Sequence, residues 1–232
     1  MKFAIIPARG GSKRIPRKNI KQFYGKPMIA YSIEAAKMSG CFDRIIVSTD
    51  DAEIAHVAET YGAEVPFMRP PELADDYTTT GQVIAQVIEQ LSGLGERPEL
   101  ICCIYATAPF VHSSDLKRGL ELLRSEGADF AFSATTFPFP IQRALRLDEN
   151  KRVAMFQSEH LLTRSQDLEE AYHDAGQFYW GKSQAFVEQR PIFSPSSVAV
   201  ILPRIRVQDI DTAEDWECSE ALFSLLGDGK LK

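Results

Sequence analysis

The sequence is short of the residues that build metal clusters and disulfide frameworks. Its four cysteines, Cys41, Cys102, Cys103 and Cys218, show neither CxxC nor Cys/His ligand spacing, and two of them are neighbours within an apolar stretch. Buried free thiols are the better reading. Positive charge is also in deficit: 26 Lys and Arg stand against 32 Asp and Glu, a net charge of −6. Coating a nucleic acid needs a basic surface, so that class of partner is set aside. No apolar run approaches the ~20 residues that span a bilayer, and no apolar segment marks a secretory leader, so a cytoplasmic chain with no membrane partner is expected. Repeats, low-complexity tracts, a Walker A spacing and a GxGxxG are missing. So is any Ser/His/Asp or Cys/His arrangement for covalent catalysis.

What is present is concentrated at the front. The apolar run Phe3 to Ile6 reads as a buried strand, and behind it Arg9, Lys13, Arg14, Arg17 and Lys18 crowd around Gly10-Gly11-Ser12. An acidic body with its positive charge gathered in one loop suits a small polyphosphate. Gly10 and Gly11 can take positive φ and bring backbone N–H groups against an anion, Ser12 adds a donor, and the cations neutralise the charge. The alternative, a solvated basic turn, does not account for Pro7, the glycine pair and Lys18-Asn19 together.

Behind this loop the pattern alternates. Gly25-Lys26-Pro27 precedes a helix of about twelve residues ending at Gly40. Arg44 to Asp50 reads as a strand, Asp51 to Tyr61 as a helix, and Glu64 to Phe67 as extended. Arg69 to Asp76, with Pro70-Pro71, is a loop over the sheet edge. Thr78-Thr79-Thr80 caps a helix whose apolar stripe is Val83, Ile84, Val87, Ile88 and Leu91. Leu100 to Tyr105 and Asp129 to Ala134 are strands around a helix from Asp115 to Arg124. The fold class predicted is therefore α/β: a doubly wound, mostly parallel sheet with right-handed crossovers and ligands beyond the carboxyl ends of its strands.

At Phe137-Pro138-Phe139-Pro140 the alternation stops. Residues 137–176 form an excursion too small to own a core, a lid or a dimer arm. Residues 1–136 and 177–232 make the body, which resumes with a short helix near Lys182 to Val187, a strand from Val198 to Leu202 and a helix opened by Thr212. Just before that helix, Asp209 and Asp211 in Asp209-Ile210-Asp211-Thr212 point to the same side of an extended segment, a spacing that suits a hard cation. Beside phosphate that cation is Mg²⁺. Capping of the last helix by Asp211 or Thr212 is the other reading, and it leaves Asp209 unexplained.

Pro7-Ala8-Arg9-Gly10-Gly11-Ser12-Lys13, with Lys18-Asn19, resembles the signature of the CMP-sialic acid synthetase family, cytidylyltransferases that activate nine-carbon acidic sugars with CTP. The resemblance runs from Ile5 to the Trp216 helix. It implies a Rossmann-type fold like that of the nucleotide-diphospho-sugar transferases, with a small dimerisation or lid excursion. It implies nucleotide contacts from Ala8, Arg9, Gly10, Gly11, Ser12, Lys13, Lys18, Asn19, Arg69 and Thr79, and Mg²⁺ held by Asp209 and Asp211. Lys18, Arg9 and Asp211 would then be catalytic. In the family the 2-hydroxyl of the sugar acid attacks the α-phosphorus of CTP and releases pyrophosphate.

Sugar contacts are expected from Tyr105, Arg143, Arg164, Tyr172, Asp174 and Gln177, the arginines being suited to bidentate pairing with a carboxylate. Either arginine could equally be a solvated surface residue. Tyr105 stands where sialic acid synthetases carry glutamine, and Phe110 where they carry leucine. The stretch Asp174-Ala175-Gly176-Gln177-Phe178-Tyr179-Trp180 resembles the pseudaminic acid branch instead. Pseudaminic acid is thus the expected substrate, with N-acetylneuraminate or legionaminate as alternatives. A homodimer through residues near 138 to 172 is expected, and His173 is read as a structural hydrogen-bonding residue rather than a general base. From another class, a regulatory module that binds nucleotide without catalysis would have lost Lys18, Asp209 or Asp211, and all three are present.

Overall fold

The fold is built outward from β1 (Lys2–Pro7), whose Ala4 and Ile6 face one way and Phe3 and Ile5 the other, all without solvent exposure. A strand apolar on both faces needs a layer on each. In the computed structural model, which describes residues 1–227, those layers are supplied in chain order. After β1 come a two-residue ribbon, β2 (Gln22–Phe23) and β3 (Lys26–Pro27), then α1 (Met28–Ser39), β4 (Arg44–Ser48) and α2 (Ala52–Thr60). Next are α3 (Thr80–Gly93), β5 (Leu100–Ile104), α4 (Ser113–Ser125) and β6 (Phe130–Thr136). A hairpin of β7 (Leu145–Leu147) and β8 (Val153–Met155) follows, then β9 (Tyr172–Lys182), α5 (Ser183–Val187), β10 (Ser197–Ile201) and α6 (Ala213–Gly227).

Six strands make the main sheet in the order β10-β6-β9-β5-β1-β4. The β1–β4, β1–β5 and β6–β10 pairs are parallel, whereas β9 runs antiparallel to both neighbours. Helices α1, α2 and α4 cover one face through Ile29, Ile33, Ile54, Leu116 and Leu120. Helices α3 and α5 cover the other through Ile84, Val87, Leu91 and Phe186. The doubly wound, mostly parallel sheet is as expected. Glu64 to Phe67 differs: only Glu64 bridges to Ile46, because the chain leaves the β4 edge at once to form the Arg69 loop. Cys41, Cys102 and Cys103 are buried, but Cys218 lies on the exposed side of α6.

Between β6 and β9 no residue from 137 to 171 is buried. The segment holds the β7–β8 hairpin and isolated 3₁₀ turns, and it exposes Phe139, Leu147, Val153, Phe156, Leu161 and Leu162. At the opposite end of the chain, α6 returns to the N-terminus. Trp216 and Phe223 pack edge-on against Phe23 at 5.4 and 5.5 Å, and Ile15, Met28 and Ile210 complete this third cluster. Such contacts combine large apolar area with directed ring geometry. They fix residues 209–212 beside the loop that follows β1.

Candidate active site

β1 ends at Pro7, and the chain then turns across the carboxyl end of the sheet. Three bonds set its path: Ala8 N–H donates to the Ser48 carbonyl at 2.9 Å, Gly10 N–H to Oδ1 of Asp50 at 2.9 Å, and Asn19 Nδ2 to the Arg9 carbonyl at 2.9 Å. Neither Gly10 nor Gly11 adopts the positive φ anticipated for them. Gly10 is required for another reason, since a Cβ there would lie 2.7 Å from Oδ2 of Asp51, while at Gly11 it would meet nothing. Asp51 caps α2 by accepting the N–H groups of Glu53 and Ile54, and it also receives the Arg17 guanidinium. Arg17 and these N–H groups hold the Asp51 carboxyl down at about 2.

The loop forms one wall of a cleft of about 540 Å³. Arg9, Ser12, Lys13, Arg14, Lys18 and Asn19 line that wall, so four of the five loop cations face a common space while Arg17 is spent on Asp51 and Glu53. Arg69, Thr78, Thr80 and Tyr105 line the other side, and Asp211 closes one end. The cleft thus opens where β1 and β5 end, the position that doubly wound sheets use for ligands.

Its electrostatics are arranged in two groups. Arg9 donates to the carbonyl of Asp75 at 2.9 Å and pairs with Asp76 at 2.6 Å, and Lys13 pairs with the other oxygen of Asp76. Lys18, more buried than the other cations, donates to the Ile210 carbonyl at 2.7 Å and lies 3.2 Å from Oδ1 of Asp211, whose Oδ2 takes Arg14 at 2.7 Å. Asp209 is exposed beside this group and does not line the cleft. Partial desolvation of its carboxyl, and then the neighbouring Asp211, raise its pKa above the ordinary value. Among the described residues no cluster of three His, Cys, Asp or Glu could hold a metal alone. The donor set nevertheless suits Mg²⁺, which binds through one or two carboxylates and completes its shell with substrate phosphates and water.

The remaining expected residues divide clearly. Arg69 is buried rather than a surface arginine, because Arg69 N–H joins the Thr49 carbonyl at 2.7 Å and its guanidinium reaches Ser48 Oγ and the Ser48 carbonyl. Burial lowers its pKa, with Asp50 opposing. Thr79 caps α3 in a reciprocal box with Gln82, and its neighbours Thr78 and Thr80 are the threonines that line the cleft. Tyr105 stands in the cleft wall. Gln177 lies behind it, its backbone carbonyl accepting the Tyr105 N–H at 2.9 Å and its Nε2 donating to the Arg206 carbonyl. Asp174 is joined to Tyr179 and to the Gly176 N–H.

Arg143, Arg164 and Tyr172 sit on the exposed excursion, bonded to Ser165, Asp167 and Glu170, and none lines the cleft. His173 packs on Phe137 at 4.8 Å with Nδ1 2.8 Å from the Asp174 carbonyl, a structural arrangement. Asp75, Asp76, Thr80 and Thr107 were not foreseen in the cleft. Their only sequence signal is adjacency to the Pro70-Pro71 loop, the helix cap and the β5 end.

A mostly parallel α/β sheet with a cationic loop at its carboxyl edge and a carboxylate opposite describes a nucleotidyltransferase. A family model for cytidylyltransferases matches residues 3–218. A pseudaminic acid cytidylyltransferase of Campylobacter jejuni is 50% identical over 221 residues, covering 95% of each chain. A CMP-N,N'-diacetyllegionaminic acid synthase of Legionella pneumophila is 31% identical over 229 residues, covering 96% of each. In three dimensions, a CMP:2-keto-3-deoxy-manno-octonic acid synthetase complexed with CTP superposes with a TM-score of 0.69 over 97% of this chain and 99% of that one, at 17% identity. The chain belongs to the cytidylyltransferase family, and it is a nucleotidyltransferase that uses CTP.

Proposed function

We propose that this enzyme transfers CMP from CTP to pseudaminic acid, with release of pyrophosphate. The observation that carries the reading is the cleft itself: four cations and Ser12 on one wall, Asp211 at its end, in a chain half identical to a pseudaminic acid cytidylyltransferase. Arg9, Ser12, Lys13 and Lys18, with the backbone of Ala8, Gly10 and Gly11, hold the triphosphate and offset its charge. Asn19 braces the loop from beneath through Arg9, and Arg69 and the Thr79 helix end border the nucleotide.

The 2-hydroxyl oxygen of the sugar acid forms the new bond to the α-phosphorus and loses its proton to solvent, as the bond to the bridging oxygen breaks and pyrophosphate departs. Lys18 and Arg9 stabilise the charge that develops on the phosphates. Asp209 and Asp211 would hold Mg²⁺, which supplies further charge neutralisation when bound. Tyr105 contributes to sugar recognition, with Gln177 and Asp174 behind it. Arg143, Arg164 and Tyr172 are proposed to meet the sugar carboxylate once the excursion is brought to a cleft by dimerisation. The exposed Phe139, Leu147, Phe156 and Leu162 support a homodimer formed through this segment.

The test is pyrophosphate release with CTP and Mg²⁺, offering pseudaminic acid or N-acetylneuraminic acid. Turnover of the first alone is expected. Turnover of the second alone would move the reading to the neuraminate branch, and turnover of neither would move it to another acidic sugar or to a binding role.

A further inference from the structure

The segment that carries Asp209 and Asp211 is fastened before it reaches the cleft. Beyond β10 the Leu202 N–H donates to the Ala134 carbonyl at 2.8 Å, and the Leu202 carbonyl accepts the Thr135 hydroxyl at 2.8 Å. The chain then makes a single 3₁₀ turn, Arg204–Arg206, closed by the Val207 N–H on the Arg204 carbonyl at 3.0 Å. From Gln208 to Ile210 no backbone N–H has a partner among the described residues. Support returns at Ile210, whose side chain is buried in the third cluster and whose carbonyl accepts Lys18. The course of the span is therefore set at its two ends.

Arg206 is the end on the sheet side. Its guanidinium donates to Oδ2 of Asp115 at 2.6 Å, and its carbonyl accepts Nε2 of Gln177 from β9. The pair is buried, with the Asp115 side chain 6% and the Arg206 side chain 13% exposed. Asp115 lies in the first turn of α4, where a carboxylate is favoured, and its other oxygen takes the half-exposed Arg118 at 3.3 Å. Such a pair is a poor source of stability. Taking two charges out of water costs about as much as their attraction returns, and apolar side chains of similar volume often do as well or better. What a short charged hydrogen bond supplies is place and angle, which an apolar contact leaves loose.

We propose that Arg206 and Asp115 are positioning residues: their buried pair fixes where the Asp209–Asp211 span leaves the sheet, and so where the Asp211 carboxylate stands at the end of the cleft. Neither residue lines the cleft; both act through the span. The inference rests on the proposed catalytic role of Asp211.

The test replaces the pair whole, since a single change strands a buried charge. Asp115→Leu is combined with Arg206→Met in the full-length enzyme. Thermal midpoint, CTP binding by calorimetry without metal, and the kinetics of pyrophosphate release are measured, the last at a temperature where circular dichroism shows a folded variant. The midpoint is expected at or above that of wild type. CTP affinity should be unchanged, because the cationic loop is untouched, while kcat falls roughly 10- to 100-fold, the cost of a misplacement of about 1 Å. In an Asp211→Ala background the double change should lower kcat no further, because its effect passes through that carboxylate. Full kcat in the double variant, losses that add in the Asp211→Ala background, or CTP affinity falling in step with kcat would each overturn the inference and leave the pair a packing device. Failure of the underlying reading appears separately, as normal turnover by Asp211→Ala alone.

Discussion

Lys18 and Asp211 meet across nearly the full length of the chain, with Nζ 3.2 Å from Oδ1, while Arg14 holds the other carboxylate oxygen at 2.7 Å. The contact joins the loop after β1 to the segment that α6 anchors. Asp211 therefore faces two cations in the absence of substrate, and its orientation is set before any ligand arrives. Asp211→Ala is expected to lower kcat by roughly 10³-fold, about 4 kcal/mol of transition-state stabilisation, with little change in thermal midpoint because Ile210 and Trp216 keep the segment in place. Normal turnover by the folded variant would remove Asp211 from the chemistry.

Asp76 occupies two of the cations proposed to hold the triphosphate. It is exposed and bridges Arg9 and Lys13, so on the proposed reading its carboxylate would compete with phosphate for them. Exposed ion pairs are weak, and Asp76→Ala should tighten CTP binding only about two- to fivefold. Calorimetric titration at low ionic strength reads this directly, and weaker binding would mean that Asp76 helps to hold the nucleotide.

The two glycines of the loop should behave oppositely. Gly10→Ala drives a Cβ to 2.7 Å from Asp51 and must displace the loop, whereas Gly11→Ala meets nothing. A loss of about tenfold in CTP affinity is expected for the first, and no change for the second. Equal effects would show that backbone conformation, rather than the approach of Asp51, governs this turn.

Asp51 gives the fold an acid-sensitive point. Its folded value of about 2 lies below the ordinary value of about 3.9. The stabilisation is therefore complete above the unfolded value and is lost as pH falls through the folded one. Asp51→Ala removes a helix cap worth ~1 kcal/mol, which corresponds to about 2–4 °C in a chain of this size. That difference from wild type should be full near pH 7 and narrow as pH drops from about 5 towards about 2. A constant difference across that range would assign the stabilisation to contacts other than the charge.

The exposed apolar side chains between β6 and β9 lead to a fifth expectation, in solution. Sedimentation should give a dimer, and Leu162→Asp combined with Phe139→Asp should give a monomer with intact secondary structure. A monomeric wild type at micromolar concentration would leave this patch without its expected partner.

Much of this was legible in the sequence where the signal is contiguous. Arg9 to Lys18 carries its charge and its glycines in one stretch, and the unbroken apolar run Phe3, Ala4, Ile5 and Ile6 announces a strand buried on both sides. The paired aspartates at 209 and 211 were visible by spacing. Arg69 shows what spacing cannot give: its burial follows from a backbone bond to Thr49, which only the folded edge of the sheet creates. The bond from Tyr179 to Asp174 depends on the irregular pairing of β9 with β6 before Tyr179, which leaves no local signature. Asp76 was missed because a carboxylate in a polar loop looks the same whether it meets water or a lysine.

The late arrival of β9 imposes an order on how the molecule is made. In the sheet β9 lies between β5 and β6, so Ile101 and Phe130 both pair with Gly181 and cannot pair with each other. On the ribosome, everything up to β6 can emerge while the middle of the sheet is still missing. The partial sheet β5-β1-β4 and the lone strand β6 must wait with unpaired edges until residue 182 has left the exit tunnel. Chains with such distant pairings fold slowly and expose edges prone to aggregation. A newly made chain that stops before β9 therefore has its cationic loop but no means of joining its two halves.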